Sequence, residues 1–288
     1  MTQNLFAACR VRNQLVAKRV RMDAATQRAV HAMFDAQERS FRNGIISELP
    51  YDGSYTPDDD ELLTLPVPQE AAVFSATIQA NATSIPDINA SAFATEGIKG
   101  LFTGRIVNGS PIVLVQRFTA AQVLQTKFAL FQQGNAFSQL SDPAFTLDSS
   151  LTCVIENSNI KFKSQQKLRS IIHMLDIYRA ATDQEVRSFA GHSRIEVTDI
   201  NGFIAAANQP SRRLIHAVAS NRVLDTISLP TIQTAAQNTG LHIVLNNGKI
   251  VMPTDKKDIK ALLQFLNESR YVGPLSGQTY VANSRRAA

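Results

Sequence analysis

The sequence predicts an α+β protein: an antiparallel β-meander covered by helices, followed by a mainly helical C-terminal part with a small β-hairpin. Short β-prone runs follow one another between turn dipeptides across residues 98–163. Beyond residue 181 apolar side chains recur mostly at helical spacing, and nowhere does the steady alternation of strand and helix that builds a parallel sheet appear. The division expected from this change is 1–180 for the sheet-bearing part and 181–288 for the helical part, with the hairpin at 241–252.

In chain order, residues 1–21 carry Arg10, Arg12, Lys18, Arg19 and Arg21 with no acidic residue, and their periodicity fits a strand or a helix. Residues 23–41 read as a helix capped by Asp23, its apolar face made by Ala29, Val30, Met33, Phe34 and Phe41, and ended by Asn43-Gly44. Residues 47–70 mix Asp and Glu with four prolines and contain no Lys or Arg, which predicts an exposed connection with short extended pieces. Residues 73–93 are ambiguous. Asn108-Gly109 and Gly134-Asn135 mark two hairpins, and Asn157-Ser158 marks a third between the β-prone runs 151–156 and 159–163. Ser164 stands at an N-cap position before Leu168, Ile171, Ile172, Leu175 and Tyr178, an apolar helical stripe whose opposite face carries Lys167, Arg169 and His173.

In the C-terminal part, helices are expected from Thr182-Asp183, over 199–207, from a Ser211 cap to Asn221, and from Pro230 to Thr239-Gly240. A strand at 241–245 then turns through Asn246-Asn247-Gly248 into residues 249–252. A last helix follows Thr254 or Asp255, with Ile259, Leu262, Leu263 and Leu266 on one stripe, and the tail from Tyr271 is punctuated by Gly, Ser and Pro.

Composition narrows the function classes. The net charge of +5 is unevenly placed: residues 1–150 hold 12 Lys and Arg against 14 Asp and Glu, residues 151–288 hold 17 against 10. A basic second half suits a polyanion, and it equally suits a solubilising surface. Two cysteines, Cys9 and Cys153, fit a reducing cytoplasm better than a disulfide framework, and no apolar run reaches the roughly 18 residues of a membrane span. Any membrane contact is therefore expected through a partner.

Enzyme signatures are missing: no phosphate loop, no dinucleotide fingerprint, no HExxH and no GxSxG. His31, His173, His192, His216 and His242 stand singly, and Asp58 to Glu61 lack the ligand spacing and turn glycine of a calcium loop. No cofactor or metal is expected. What remains is basic. Lys161 and Lys163 alternate with Phe162 on a strand, so both project from one face, and Lys167 and Arg169 follow on the helix. Two readings stand side by side, phosphate contacts or a solvated sheet edge protected by lysines. Arg212-Arg213 and Lys256, Lys257 and Lys260 are weaker candidates on helices.

The succession FTLDSSLTCVIENSNIKF, QQKLRSIIHML, RRLIHAV, LHIVLNNGKIVM and the Leu-rich final helix running to Tyr271 and Tyr280 resembles the uncharacterised-domain family that includes the B component of the Kiwa anti-phage defence system. The resemblance covers residues 95–285. It departs at Ile171-Ile172-His173, where a Phe-Glu type pair is expected, and leaves the first hundred residues unmatched. It implies a defence protein that binds DNA nonspecifically through the phosphate backbone, does not cut it, and acts with a small membrane protein partner. Combined with the basic residues, it gives Lys161, Lys163, Lys167, Arg169, Arg212 and Arg213 as DNA contacts in a homodimer or higher oligomer. The alternatives are a protein-interaction scaffold whose acidic loop 52–61 and basic tail contact protein partners, and a metal-dependent nuclease relying on Asp58 or Asp60.

Overall fold

The computed structural model describes residues 4–51, 53, 55–124, 130–139, 144–173 and 180–282. They fall into two compact units, one drawn from residues 1–51 and 56–173, the other from 52–55 and 174–288.

The first unit is built on an eight-stranded sheet of order β2-β1-β5-β6-β9-β10-β4-β3. Its strands are β1 (Leu5–Val11), β2 (Gln14–Val20), β3 (Ser47–Pro50), β4 (Glu61–Pro66), β5 (Ile98–Val107), β6 (Ser110–Arg117), β9 (Cys153–Glu156) and β10 (Asn159–Phe162). All pairings are antiparallel except β3 with β4. The ambiguous N-terminus resolves into the β1–β2 hairpin, whose turn places Arg12 and Asn13 at φ 47 and 66. Asn157 and Ser158 likewise take positive φ, 49 and 61, the twist a two-residue hairpin turn requires. The β7 (Leu130–Gln133) and β8 (Ala136–Gln139) hairpin forms a separate two-stranded ribbon rather than extending the meander.

The acidic, proline-rich stretch is more ordered than an exposed connection. Its β4 is an interior strand with Glu61, Leu62, Leu63 and Leu65 buried, because four apolar or paired positions between the acids and Pro66 are enough to fill a place beside β10. The flanking prolines and carboxylates, which dominate the sequence pattern, stay outside it.

Helix α1 (Ala24–Arg42) begins at Asp23, whose carboxylate accepts from the Ala25 and Thr26 amides at 2.8 Å each. It covers one sheet face, where Phe34 and Phe41 pack with Leu101, Leu114 and Val154. Full burial of Phe34 contributes about 2 kcal/mol. Helix α2 (Ala72–Gln79) covers the other face: Phe74 meets Phe102 edge-on with centroids 4.9 Å apart, and Phe102 stacks on Phe6. Gly104 makes this approach possible, since a Cβ there would lie 2.9 Å from Ile78 and 2.4 Å from the Ile112 carbonyl. Short helix α3 (Gln165–Arg169) starts at Ser164, as its sequence indicates, and Leu168, Ile171 and Ile172 are fully buried. Leu175 and Tyr178, expected on the same stripe, lie outside the described residues.

The second unit contains α4 (Asp183–Ala190), α5 (Ile200–Ala206), α6 (Gln209–Asn221), α7 (Val223–Thr226), α8 (Leu229–Asn238) and α9 (Lys256–Leu266) among its described residues. A three-stranded sheet joins β11 (Ile195–Glu196), β12 (Leu245–Asn246) and β13 (Lys249–Val251), and β14 (Arg270–Val272) pairs with β15 (Thr279–Val281). Helix α6 starts one turn before the expected Ser211 cap: Asn208 accepts from the Ser211 amide, Pro210 occupies the first turn, and Ser211 itself is buried. Pro210 suits the first turn of a helix, since its missing N–H is not needed there. The strand expected at 241–245 shortens to β12, with Val244 half exposed. Ile215, Val218, Ile259, Leu262, Leu263 and Leu266 form the centre of this unit's own core.

Candidate nucleic-acid interface

The β9–β10 hairpin and α3 set out the basic residues. On β10, Ile160 and Phe162 are fully buried, and Phe162 meets Tyr51 edge-on at 5.2 Å, so Lys161 and the following Lys163 turn to the α1 side. One row of the sheet runs in register through Thr103, Leu114, Val154, Lys161 and Thr64. The two lysines share a face, yet meet different surroundings.

Lys161 belongs to an alternating chain of charges laid between α1 and the sheet. Arg105 places its guanidinium on the Glu38 carboxylate at 2.7 and 3.0 Å. Arg42 donates to Glu38 at 3.1 Å and forks onto Glu156 at 3.0 and 2.7 Å. The Lys161 ammonium lies 2.8 Å from Glu156 and 2.5 Å from Glu48. The side chains of Glu38, Glu156 and Lys161 are only 9%, 11% and 13% exposed, so water screens these contacts little. The Arg42 fork, helped by Lys161 and opposed by burial, lowers the Glu156 carboxyl to about 2. Burial opposes charge on Glu38, but Arg105 and Arg42 still hold it below the ordinary carboxylate range. Burial also opposes charge on Lys161, and its two carboxylate partners nevertheless raise it.

Lys163 and Lys167 open instead onto a cleft of about 240 Å³. Ser40 and Phe41 of α1 line one side, and Ser149, Ser150 and Thr152 of the chain leading into β9 line another. Lys163 gives one hydrogen bond to the Asp59 carbonyl at 2.9 Å, while the Lys167 ammonium has no hydrogen-bond or ion-pair partner among the described residues. The cleft wall is held from within. Gln116, fully buried, donates to Gln37 at 2.5 Å, and both amides donate to the Asp148 carbonyl at 3.1 and 2.9 Å. The Asp148 amide returns a bond to Gln116 at 3.1 Å. Two buried side-chain amides thus fix the loop that presents Ser149 and Ser150. Sequence reasoning missed this group, because glutamines and serines distant in the chain carry no local pattern.

Arg169 is exposed on α3. Arg212 belongs to the second unit and is occupied structurally: it donates to the Ala181, Ile204 and Ala207 carbonyls and pairs with Asp183 at 2.6 Å. Arg213, next to it, is exposed. The basic N-terminal residues also have internal partners. Arg10 bonds Glu70 at 2.9 Å and the Ile171 carbonyl at 2.7 Å, Lys18 pairs with Glu96, and Arg19 pairs with Asp87 at 2.7 Å.

Among the described residues, no group of three or more His, Cys, Asp and Glu side chains could hold a metal ion, and no helix is long and apolar enough to cross a membrane. Burial pushes the Cys9 thiol up to about 11, and Cys153, completely enclosed, is pushed up further, so neither supplies a thiolate at neutral pH. The family model described as Kiwa protein KwaB-like matches residues 106–276. That span holds β6, β9, β10, α3 and most of the second unit, including every basic residue expected to contact DNA, but not α1. Compared with curated proteins and with solved structures, the chain matches none.

Proposed function

The chain belongs to the Kiwa protein KwaB-like family, a family of the Kiwa anti-phage defence system, and from that premise we propose that it binds DNA without cutting it. Lys163, Lys167 and Arg169 form the principal phosphate contacts and Arg213 an auxiliary one. Lys161 and Arg212 act in support, through the internal bonds they make. The observation that carries this reading is the cleft in which two lysines open beside exposed serines, with the Lys167 ammonium available to an outside anion. Each phosphate so neutralised releases counterions, and affinity then falls as salt rises, without regard to base sequence.

Fluorescence anisotropy on a random-sequence duplex tests the reading. Binding at about 50 mM salt should weaken by at least tenfold at about 200 mM, and Lys163→Glu with Lys167→Glu should lower the logarithmic salt slope by about 2. Absence of any duplex affinity at the lower salt sinks it. The membrane protein partner and self-association are proposed from the family alone. Co-purification with a small multi-span membrane protein, and a mass above that of one 31.6 kDa chain in light scattering, are the expected results.

A further inference from the structure

The lysine cleft is a half-open recess rather than a flat surface, and that bears on which phosphate fits it best. Continuous DNA backbone presents diesters with one charge and a sugar on either side of each. A phosphate entering a recess must bring both sugars with it, unless it is terminal. The cleft's 240 Å³ is small beside the roughly 300–1,000 Å³ of sites that enclose a whole ligand, and close to the volume of about eight waters. That is room for a phosphate and part of one sugar.

Charge and hydrogen bonding agree with the space. A phosphomonoester carries about −1.5 to −2 charges at neutral pH and three strong acceptor oxygens. Lys163 and Lys167 supply two positive charges, and the hydroxyls of Ser40, Ser149 and Ser150 supply three donors. Phe41, 8% exposed, gives the recess an apolar wall that strengthens these contacts. The Asp148 carboxylate of the same loop accepts from the Ser149 amide at 2.8 Å and is not part of the cleft lining. The buried Gln37 and Gln116 amides hold the serine loop in place before any ligand arrives, which lowers the cost of ordering it.

We infer that this cleft binds a terminal phosphomonoester, either the phosphorylated end of a DNA strand or a free mononucleotide. The inference rests on the phosphate-binding reading of Lys163 and Lys167 above and adds the class of phosphate. The test compares two duplexes of one sequence, ending in 5′-phosphate or 5′-hydroxyl, with dAMP and inorganic phosphate as separate small probes followed by calorimetry. The phosphate-ended duplex should bind about tenfold tighter, from one additional set of charge-assisted bonds. Ser149→Ala with Ser150→Ala, two exposed loop positions, should erase that preference, so that the two duplexes bind the variant alike.

Equal affinity for the two ends, with no binding of dAMP or phosphate, overturns the inference while leaving DNA binding intact. Binding of dAMP lost in the serine variant, with neither duplex bound, supports the phosphomonoester site and overturns DNA binding instead. No binding of any probe overturns both.

Discussion

Lys161 lies on β10 and Lys163 one residue past its end, on the bend before α3 rather than on the strand the sequence suggests, and the two belong to regions with opposite uses of positive charge. Around Lys161 every cation is answered by a carboxylate, in a chain from Arg105 through Glu38, Arg42 and Glu156 to Glu48. Around Lys163 and Lys167 the neighbours are hydroxyls and a backbone carbonyl, which solvate an ammonium without cancelling its charge. Their alternation with Phe162 makes the two lysines equivalent in the sequence. What separates them is the placement of Glu48, Glu156 and Arg42 from three other elements, and only the closed sheet brings those together. The first region is architecture, and the second remains able to hold an anion.

The largest break in that comparison should come from Glu156→Gln. Arg42 and Lys161 would lose the charge they share, and the first unit should lose about 3 kcal/mol, read as a lower denaturant midpoint. Acid tests the same group without mutation. Its folded carboxyl lies near 2 against an ordinary value of 4.5, so its contribution is complete above pH 4.5 and is lost as pH falls toward 2. The wild type should therefore lose stability over that window more steeply than Glu156→Gln. Equal slopes would show that the chain of charges does not support the fold.

A smaller effect separates the lysines themselves. Lys161→Met leaves Glu48 without its partner and Glu156 with Arg42 alone, and should cost about 1–2 kcal/mol while duplex affinity changes little. Lys163→Met loses one bond to a carbonyl and should stay within about 0.5 kcal/mol of wild-type stability, while duplex affinity falls. The reverse pattern, with Lys161 governing binding and Lys163 stability, would invert the assignment of the two regions.

The same distinction explains which parts of the molecule were legible. The Asp23 cap, the Asn157-Ser158 turn, the Ser164 helix start and the final Leu-rich stripe are all local, and they form where their residues indicate. The β4 strand was obscured because its short apolar run is framed by prolines and acids, and the pattern of the frame outweighed that of the strand. Asn208 rather than Ser211 starts α6 because either residue can cap, and Pro210 between them fits both a stop and a first turn.

By itself, the sequence determined the α+β class, the hairpin that carries the lysines, their alternation with buried apolar neighbours, and the resemblance that the family match bears out. These follow from periods of 2 and 3.6 residues and from turn chemistry, interactions that span a few positions. Tertiary structure alone decided that Lys161 and Arg212 spend their charge inside the protein while Lys163 and Lys167 open to a cleft. It also decided that Gln37 and Gln116, 79 positions apart, would hold the serine loop. A charge or an amide has no preferred partner at fixed spacing. Its partner is whichever group the closed sheet and α1 bring within about 3 Å.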